Sequence, residues 1–374
     1  MAEKYLGESI AKLGFGFMRL PRAKAGFDME QINRMVDHFL DAGFTYFDTA
    51  YVYEGSEEAL RQSLVERHPR EKYQIATKLN LMSAKAPEDL PGYFETSKKR
   101  LGVDYLDFYL LHGLGGKGIV KADDLKAWDY LKSLKAEGLV RHIGMSFHGT
   151  PEELDGIFQK HPEAEFVQIQ LNYLDWDSEK VQSRLVYEAA RRNSRSVIIM
   201  EPVKGGLLGS EESAIAKEFK AYDPNASAAS WALRFAAQLD GLITVLSGMS
   251  TYEQIADNTA TFRNMGPLSE KENALIKKAA DILKSTPRVP CTGCNYCTPN
   301  CPQKIAIPAI LDLYSNYLVY NTLAGIARAY GFATGRGGKA KDCVACRVCE
   351  EHCPQHIEIA DTLAKFSELV GEKK

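Results

Sequence analysis

Eight cysteines fall in two runs of the same spacing. Cys291, Cys294, Cys297 and Cys301, followed by Pro302, spell C-x-x-C-x-x-C-x-x-x-C-P, and Cys343, Cys346, Cys349 and Cys353, followed by Pro354, spell it again. Three closely spaced thiolates from one loop with a fourth from elsewhere suit the tetrahedral iron sites of a 4Fe-4S cluster. Structural zinc typically uses two C-x-x-C pairs instead. Four disulfides would also consume eight cysteines, but the opening MAEKYLGESIAKLG lacks the charged-then-apolar layout of a secretion signal, so the expectation is a cytoplasmic chain with a metal framework. The first 290 residues contain no cysteine at all, and their chemistry must be of another kind.

A second set of residues carries it. Asp48 closes the apolar run TYFDTA, Lys78 closes YQIATK and His112 closes LDFYLLH, with Tyr53 five residues beyond Asp48. Polar groups at the ends of apolar β-runs are costly inside a core unless paired. Three such runs in succession, each ending in a titratable residue, point to a shared rim where proton transfer is done.

The elements that must position these residues are short β-branched or aromatic runs alternating with amphipathic stretches. Strand candidates are 13–20, 45–50, 73–79, 106–112, 140–147, 166–173, 196–203 and 242–249. Helical patterns run between them, such as 31–43, with Gly43, Gly102 and Gly138 as stops. Eight βα units in this length predict an α/β fold, a (β/α)8 TIM barrel, whose chemistry sits at the C-terminal strand ends. An open doubly wound sheet is the alternative, but no G-x-G-x-x-G turn opens a helix; LGFGF (13–17) is the nearest approach. TPRVP after residue 285 breaks the helical pattern. The domains expected are therefore 1–285, the barrel, and 286–374, a small, mainly helical cysteine module with an apolar helical stretch over 307–332.

Composition agrees with a globular chain of 374 residues, 45% hydrophobic and 25% charged, which excludes disordered and low-complexity classes. With 46 Lys and Arg against 49 Asp and Glu, the net charge is -3, so no strong field recruits nucleic acid. No apolar run is long enough for a membrane span.

The segment FDTAYVY with Asp48 and Tyr53, then Lys78 in ATK and His112 in LLH, resembles the Asp-Tyr-Lys-His tetrad of the aldo-keto reductases, a family of (β/α)8 barrels. The resemblance covers most of residues 5 to 265. It implies an oxidoreductase that reduces an aldehyde or ketone with NAD(P)H, or runs the reverse reaction, so that the partner is a small carbonyl or alcohol substrate. Tyr53 is then the proton donor, Lys78 lowers its pKa, Asp48 holds Lys78, and His112 hydrogen-bonds the substrate oxygen. By the same resemblance, Ser146 in IGMSF and Gln168 in VQIQLNY, with Gln170 as fallback, meet the nicotinamide carboxamide. Met200 stands where many relatives place an aromatic residue against the nicotinamide ring. Pro202, Gly205 and Gly206 wrap the pyrophosphate. Gly248, Ser250, Gln254, Asp257 and Asn258 belong to the adenosine segment. Glu201 departs from the family's small hydroxyl residue, and no basic residue lies between 248 and 258 to read a 2′-phosphate, so NADP and NAD both stay open.

The cysteine runs resemble the bacterial ferredoxin signature, and with helical filler the module looks like an all-helical ferredoxin domain holding two 4Fe-4S clusters. That resemblance implies crossed ligation: Cys291, Cys294 and Cys297 with Cys353, and Cys343, Cys346 and Cys349 with Cys301. Such clusters link the barrel to one-electron transfer with a ferredoxin or other redox protein. Nicotinamide chemistry moves two electrons together, and the converter that would match them, a flavin, has no motif here. The alternative is a redox-sensing or electron-transfer protein whose barrel site is slow or vestigial. His148 and Trp176, just past strand runs, are further pocket candidates, and the glycine-rich stretch after His112 reads as a mobile loop.

Overall fold

The computed structural model describes residues 6–320, 323, 325–335 and 337–372. Eight parallel strands close into a barrel in chain order: β1 Leu13–Gly16, β2 Tyr46–Asp48, β3 Gln74–Leu79, β4 Leu106–Leu114, β5 Val140–Phe147, β6 Phe166–Gln170, β7 Ser196–Met200 and β8 Leu242–Ser247. This is a (β/α)8 TIM barrel, and a helical region carrying the cysteines follows it.

Alternation along each strand sorts the side chains. Tyr46, Ala76, Phe108, Leu110, Phe166, Ile198, Ile243 and Leu246 pack together as the lumen core. Phe108 is its hub, with ring centroids 5.1 Å from Tyr46 and 5.3 Å from Phe166. Residues between these positions face outward into the layer under the helices. Phe15, Phe39 and Phe47 meet there with Ile32, Met35 and Val36. Helix Met29–Asp41 buries Ile32, Met35, Val36 and Phe39, a three-and-four spacing, and Asp28 caps it by accepting from the Gln31 backbone N–H. Each such buried side chain stabilises the fold by roughly 1.5–3 kcal/mol.

Several strands are shorter than the apolar runs suggest, each for a local reason. β1 gives way to a 3-10 turn over Phe17–Arg19. β6 stops at Gln170 because the Asn172 side chain takes the N–H groups of Leu174 and Asp175, folding an Asx turn. β7 stops at Met200 because Glu201 adopts a φ of 58°. β4 instead runs on to Leu114, and the expected mobile stretch folds into a helix, Lys117–Asp124.

The last helix packed on the barrel is Glu270–Ser285, capped by Ser269. Beyond it, the apolar run over 307–332 makes two helices, Ile307–Tyr320 and Ile326–Ala333. Gly325, at a φ of 78°, provides the break. With helix Ile359–Leu369 they enclose a separate core of Ile310, Leu311, Tyr330, Leu363 and Phe366. Among the described residues, no helix is long and apolar enough to cross a membrane.

Candidate active site and metal centres

Two-residue periodicity carries the lumen face from the barrel floor to its C-terminal rim. Tyr46 leads to Asp48, Ala76 to Lys78, Leu110 to His112, Gly144 to Ser146, Phe166 to Gln168 and Gln170, and Ile198 to Met200. These rim residues, together with Tyr53 from the loop after β2, line one cavity of about 560 Å³. The same cavity is lined by Pro202, Gly205, Gly206, Gly248, Ser250, Gln254, Asp257 and Asn258. All sixteen of these residues therefore meet in one place. His148 also reaches it. Trp176 does not: it packs against Phe235 and Tyr187.

Lys78, buried to 1% exposure, donates to Asp48 Oδ1 at 2.7 Å and to the Thr49 carbonyl at 2.7 Å. Its ammonium stands 5.4 Å from the Tyr53 ring centre. Burial raises the Asp48 carboxyl and lowers the Lys78 ammonium, and each opposes the other's shift by their pairing. Tyr53 departs from expectation. Burial, then Tyr296 and Asp48, push its phenol well above the ordinary value, with only Arg19 opposing. Lys78 is paired with Asp48, whose negative charge beside it offsets the ammonium's pull on the Tyr53 proton. Burial, then Lys78 and His148, hold His112 well below its ordinary value, so the imidazole is neutral.

The nucleotide-facing groups divide into satisfied and unsatisfied ones. Ser146 Oγ accepts from the Gly113 N–H at 2.8 Å. Ser250 N–H donates to Gln254 Oε1 at 2.7 Å, Ser227 Oγ donates to Asp257 at 2.6 Å, and Asn258 Nδ2 donates to Ser247 Oγ at 3.0 Å. Gln168 Nε2 donates to the Met200 sulfur. In contrast, Gln168 Oε1 and Gln170 Oε1 are buried without a partner. Such orphaned acceptors are rare in a finished core. Lining the cavity, they fit a ligand bearing N–H donors, such as a carboxamide. Glu201 lines the cavity and pairs with Arg19 at 3.5 Å, and burial raises its carboxyl.

Three residues of this cavity lie in the cysteine module: Cys294, Tyr296 and Pro354. Tyr296 Oη is 3.2 Å from Tyr53 Oη and 3.2 Å from His112 Nε2. Sequence reasoning missed it, because Tyr296 reads as filler between two cysteines. It also missed Arg19, which donates to the Thr292 carbonyl at 2.8 Å. A buried ion pair beside them, Lys204 to both Asp175 oxygens at 2.6 Å, extends to Gln355 Oε1 at 2.9 Å. No local signal marks these pairs, since each joins positions far apart in the chain.

The eight thiols ring two further cavities. Cys291, Cys294 and Cys297 share one with Cys353. Cys343, Cys346 and Cys349 share the other with Cys301. A zinc ion at about 2.3 Å from each sulfur would draw four thiolates tightly together. Among the described residues no three such donors converge on a single-ion point. Thiols spread around a cavity instead fit a polynuclear iron-sulfur core. Burial pushes Cys294 up to about 11 and Cys297 up to about 12, so these thiols ionise when a metal's positive charge compensates.

Residues 12–281 match the family model described as the aldo/keto reductase family, and residues 290–358 match a 4Fe-4S dicluster domain. The probable aldo-keto reductase 1 of Glycine max is 30% identical over 213 residues, covering 54% of this chain and 59% of that protein. A 9,11-endoperoxide prostaglandin H2 reductase of Trypanosoma cruzi is 31% identical over 182 residues, covering 48% of this chain and 57% of that one. The chain thus spans somewhat over half the length of these curated relatives. Among solved structures, an aldo/keto reductase from Klebsiella pneumoniae in complex with NADP and acetate has a TM-score of 0.59 at 21% identity, covering 73% of this chain and 92% of that one. The holo form of an aldo-keto reductase from Bacillus halodurans has a TM-score of 0.57 at 25% identity, covering 73% and 93%.

Proposed function

The chain belongs to the aldo/keto reductase family, and from that premise we propose that it is an NAD(P)H-dependent reductase of a small aldehyde or ketone, working in the cytoplasm. The observation that carries this reading is the convergence of Asp48, Tyr53, Lys78 and His112 on the cavity that Gln168 and Gln170 line with unpartnered acceptors. A nicotinamide cofactor supplies hydride chemistry when bound, and iron-sulfur clusters held by the eight cysteines supply one-electron exchange. Gln168, Gln170 and Ser146 would hold the carboxamide, Gly205 and Gly206 the pyrophosphate, and the 248–258 segment the adenosine. The Klebsiella pneumoniae neighbour is itself described with NADP. In this chain, Glu253 and Asp257 at the adenosine end offer no positive charge to a 2′-phosphate, so NADH and NADPH are both to be assayed.

Reduction needs a proton for the carbonyl oxygen. Tyr53 keeps its proton at neutral pH and gives it up only to an oxygen becoming an alkoxide, a much stronger base. His112, neutral, donates a hydrogen bond through Nε2 when its proton sits there. The Lys78 charge, fixed by Asp48, stabilises negative charge as it develops. The test is Tyr53→Phe in anaerobically purified protein, assayed for NADH and NADPH oxidation with a panel of small carbonyls. Loss of about 10²-fold or more in kcat with nucleotide affinity retained is expected; near-wild-type turnover rejects the assignment.

A second reading, a redox sensor or electron-transfer partner of a ferredoxin with a slow barrel, is favoured by Tyr296 bonding both Tyr53 and His112. Measurable NAD(P)H-dependent aldehyde reduction counts against it. Cofactor analysis that found a flavin would instead support coupling of the two halves.

A further inference from the structure

Tyr53 and His112 are the two rim groups that can hydrogen-bond one oxygen at once, and in this structure the Tyr296 hydroxyl stands 3.2 Å from each. A carbonyl oxygen that takes a proton from Tyr53 while bonded to His112 needs that same point. Two oxygens cannot share it. We propose that Tyr296 is the gate of the barrel site: its hydroxyl holds the seat of the carbonyl oxygen, and a substrate enters by displacing this side chain. The proposal rests on the reading of the barrel as a carbonyl reductase.

The surroundings decide what moves. The loop that carries Tyr296 is docked on the barrel through Thr292, whose carbonyl accepts from Arg19 at 2.8 Å. Gly205, at a φ of 65°, packs so closely that an added Cβ would come within 2.8 Å of that carbonyl oxygen. On the other side of the same thiol ring, Gln355 is held by the buried Lys204–Asp175 pair. Undocking leaves the Lys204–Asp175 pair intact but strips the buried ammonium of its Gln355 acceptor, together with the Arg19–Thr292 bond and the packing on Gly205. Departure of the whole module therefore costs far more than rotation of one side chain. The Tyr296 side chain borders the 560 Å³ cavity, and its rotation away from Tyr53 and His112 frees the seat while the loop backbone stays docked. Cys294 and Pro354 remain in the cavity lining, so the cysteine module, rather than the barrel loops alone, limits the size and shape of the carbonyl accepted.

The experiment uses the full chain with its clusters, prepared anaerobically, and acetate as a probe that places a carboxylate oxygen in the seat. Acetate affinity is measured by calorimetry, with and without NADP+, for wild type, Tyr296→Phe and Tyr296→Leu. If the phenol holds the seat about nine-tenths of the time, removing its hydroxyl tightens acetate binding on the order of tenfold. In turnover, KM for a small aldehyde falls by a similar factor and kcat is kept. Acetate binding that is unchanged or weaker overturns the gate, and so does collapse of kcat, which would make Tyr296 a proton donor. Iron loss in one variant leaves the measurement to the other; iron loss in both overturns the proposal, since Tyr296 would then be a folding residue of its loop. Tighter acetate binding with no aldehyde turnover in any form leaves the gate standing and rejects the reductase reading.

Discussion

Replacing Lys78 by methionine removes a fixed positive charge beside the candidate proton donor while nearly keeping the side chain's volume. The Lys78 ammonium lies 5.4 Å from the Tyr53 ring centre. At an effective dielectric near 20, a unit charge at that distance stabilises a full negative charge by about 3 kcal/mol. Reduction builds negative charge on the substrate oxygen and the phenol at this point, so the loss translates to roughly 10²-fold in kcat. The same substitution strips Asp48 of its partner at 2.7 Å. An uncompensated buried carboxylate costs about 3–5 kcal/mol of stability, and Asp48, already raised by burial, responds by taking up a proton. The two effects separate in a double variant. Adding Asp48→Leu to Lys78→Met restores much of the stability and none of the rate. The assay is steady-state aldehyde reduction at saturating nucleotide, with nucleotide affinity measured by fluorescence and stability by thermal unfolding. Lys78→Met retaining kcat within about threefold of wild type, a change worth under 1 kcal/mol, would refute the electrostatic argument.

Two further predictions concern metal and protons. Cys353→Ser perturbs the same cluster as Cys294→Ser, and Cys301→Ser the same cluster as Cys349→Ser, because the thiols ring their cavities in that crossed pairing; electron paramagnetic resonance of the reduced variants checks which spectra coincide, and coincidence of Cys301→Ser with Cys294→Ser would reject it. His148 is held down to about 4, mainly by burial, so between its unfolded value near 6.5 and that point the unfolded chain binds more protons than the folded one. Stability therefore falls as pH drops through this window, by about 2 kcal/mol from pH 6.5 to 5 at 1.36 kcal/mol per unit. His112 is shifted in the same direction. Chemical unfolding across that range should show a shallower loss for His148→Asn than for wild type, and equal losses would remove His148 from the account.

Much of this molecule is local in origin and so legible along the chain. Eight βα units announce themselves because strand and helix impose different periods on apolar residues, and the lumen-facing period of two carries Asp48, Lys78 and His112 to one rim without further information. The cysteine runs are equally local, since the ligands that share a ring are mostly three residues apart. The strand ends were less legible: β6 and β7 stop early through the Asn172 side chain and the positive φ of Glu201, which compete with an apolar pattern that continues past them.

What only the tertiary structure decided is how the two halves meet. Sequence set a candidate two-electron site and a cysteine module side by side as expected separate domains. Folding puts Tyr296 between Tyr53 and His112, Arg19 against Thr292, and Lys204 against Gln355. Each contact joins residues more than a hundred positions apart, and no periodicity or spacing encodes such a pair. The same burial explains the shift of Tyr53 upward: the module covers the rim, excludes water and adds a second phenol, so the character of the candidate proton donor depends on a domain that its own neighbours in sequence never mention.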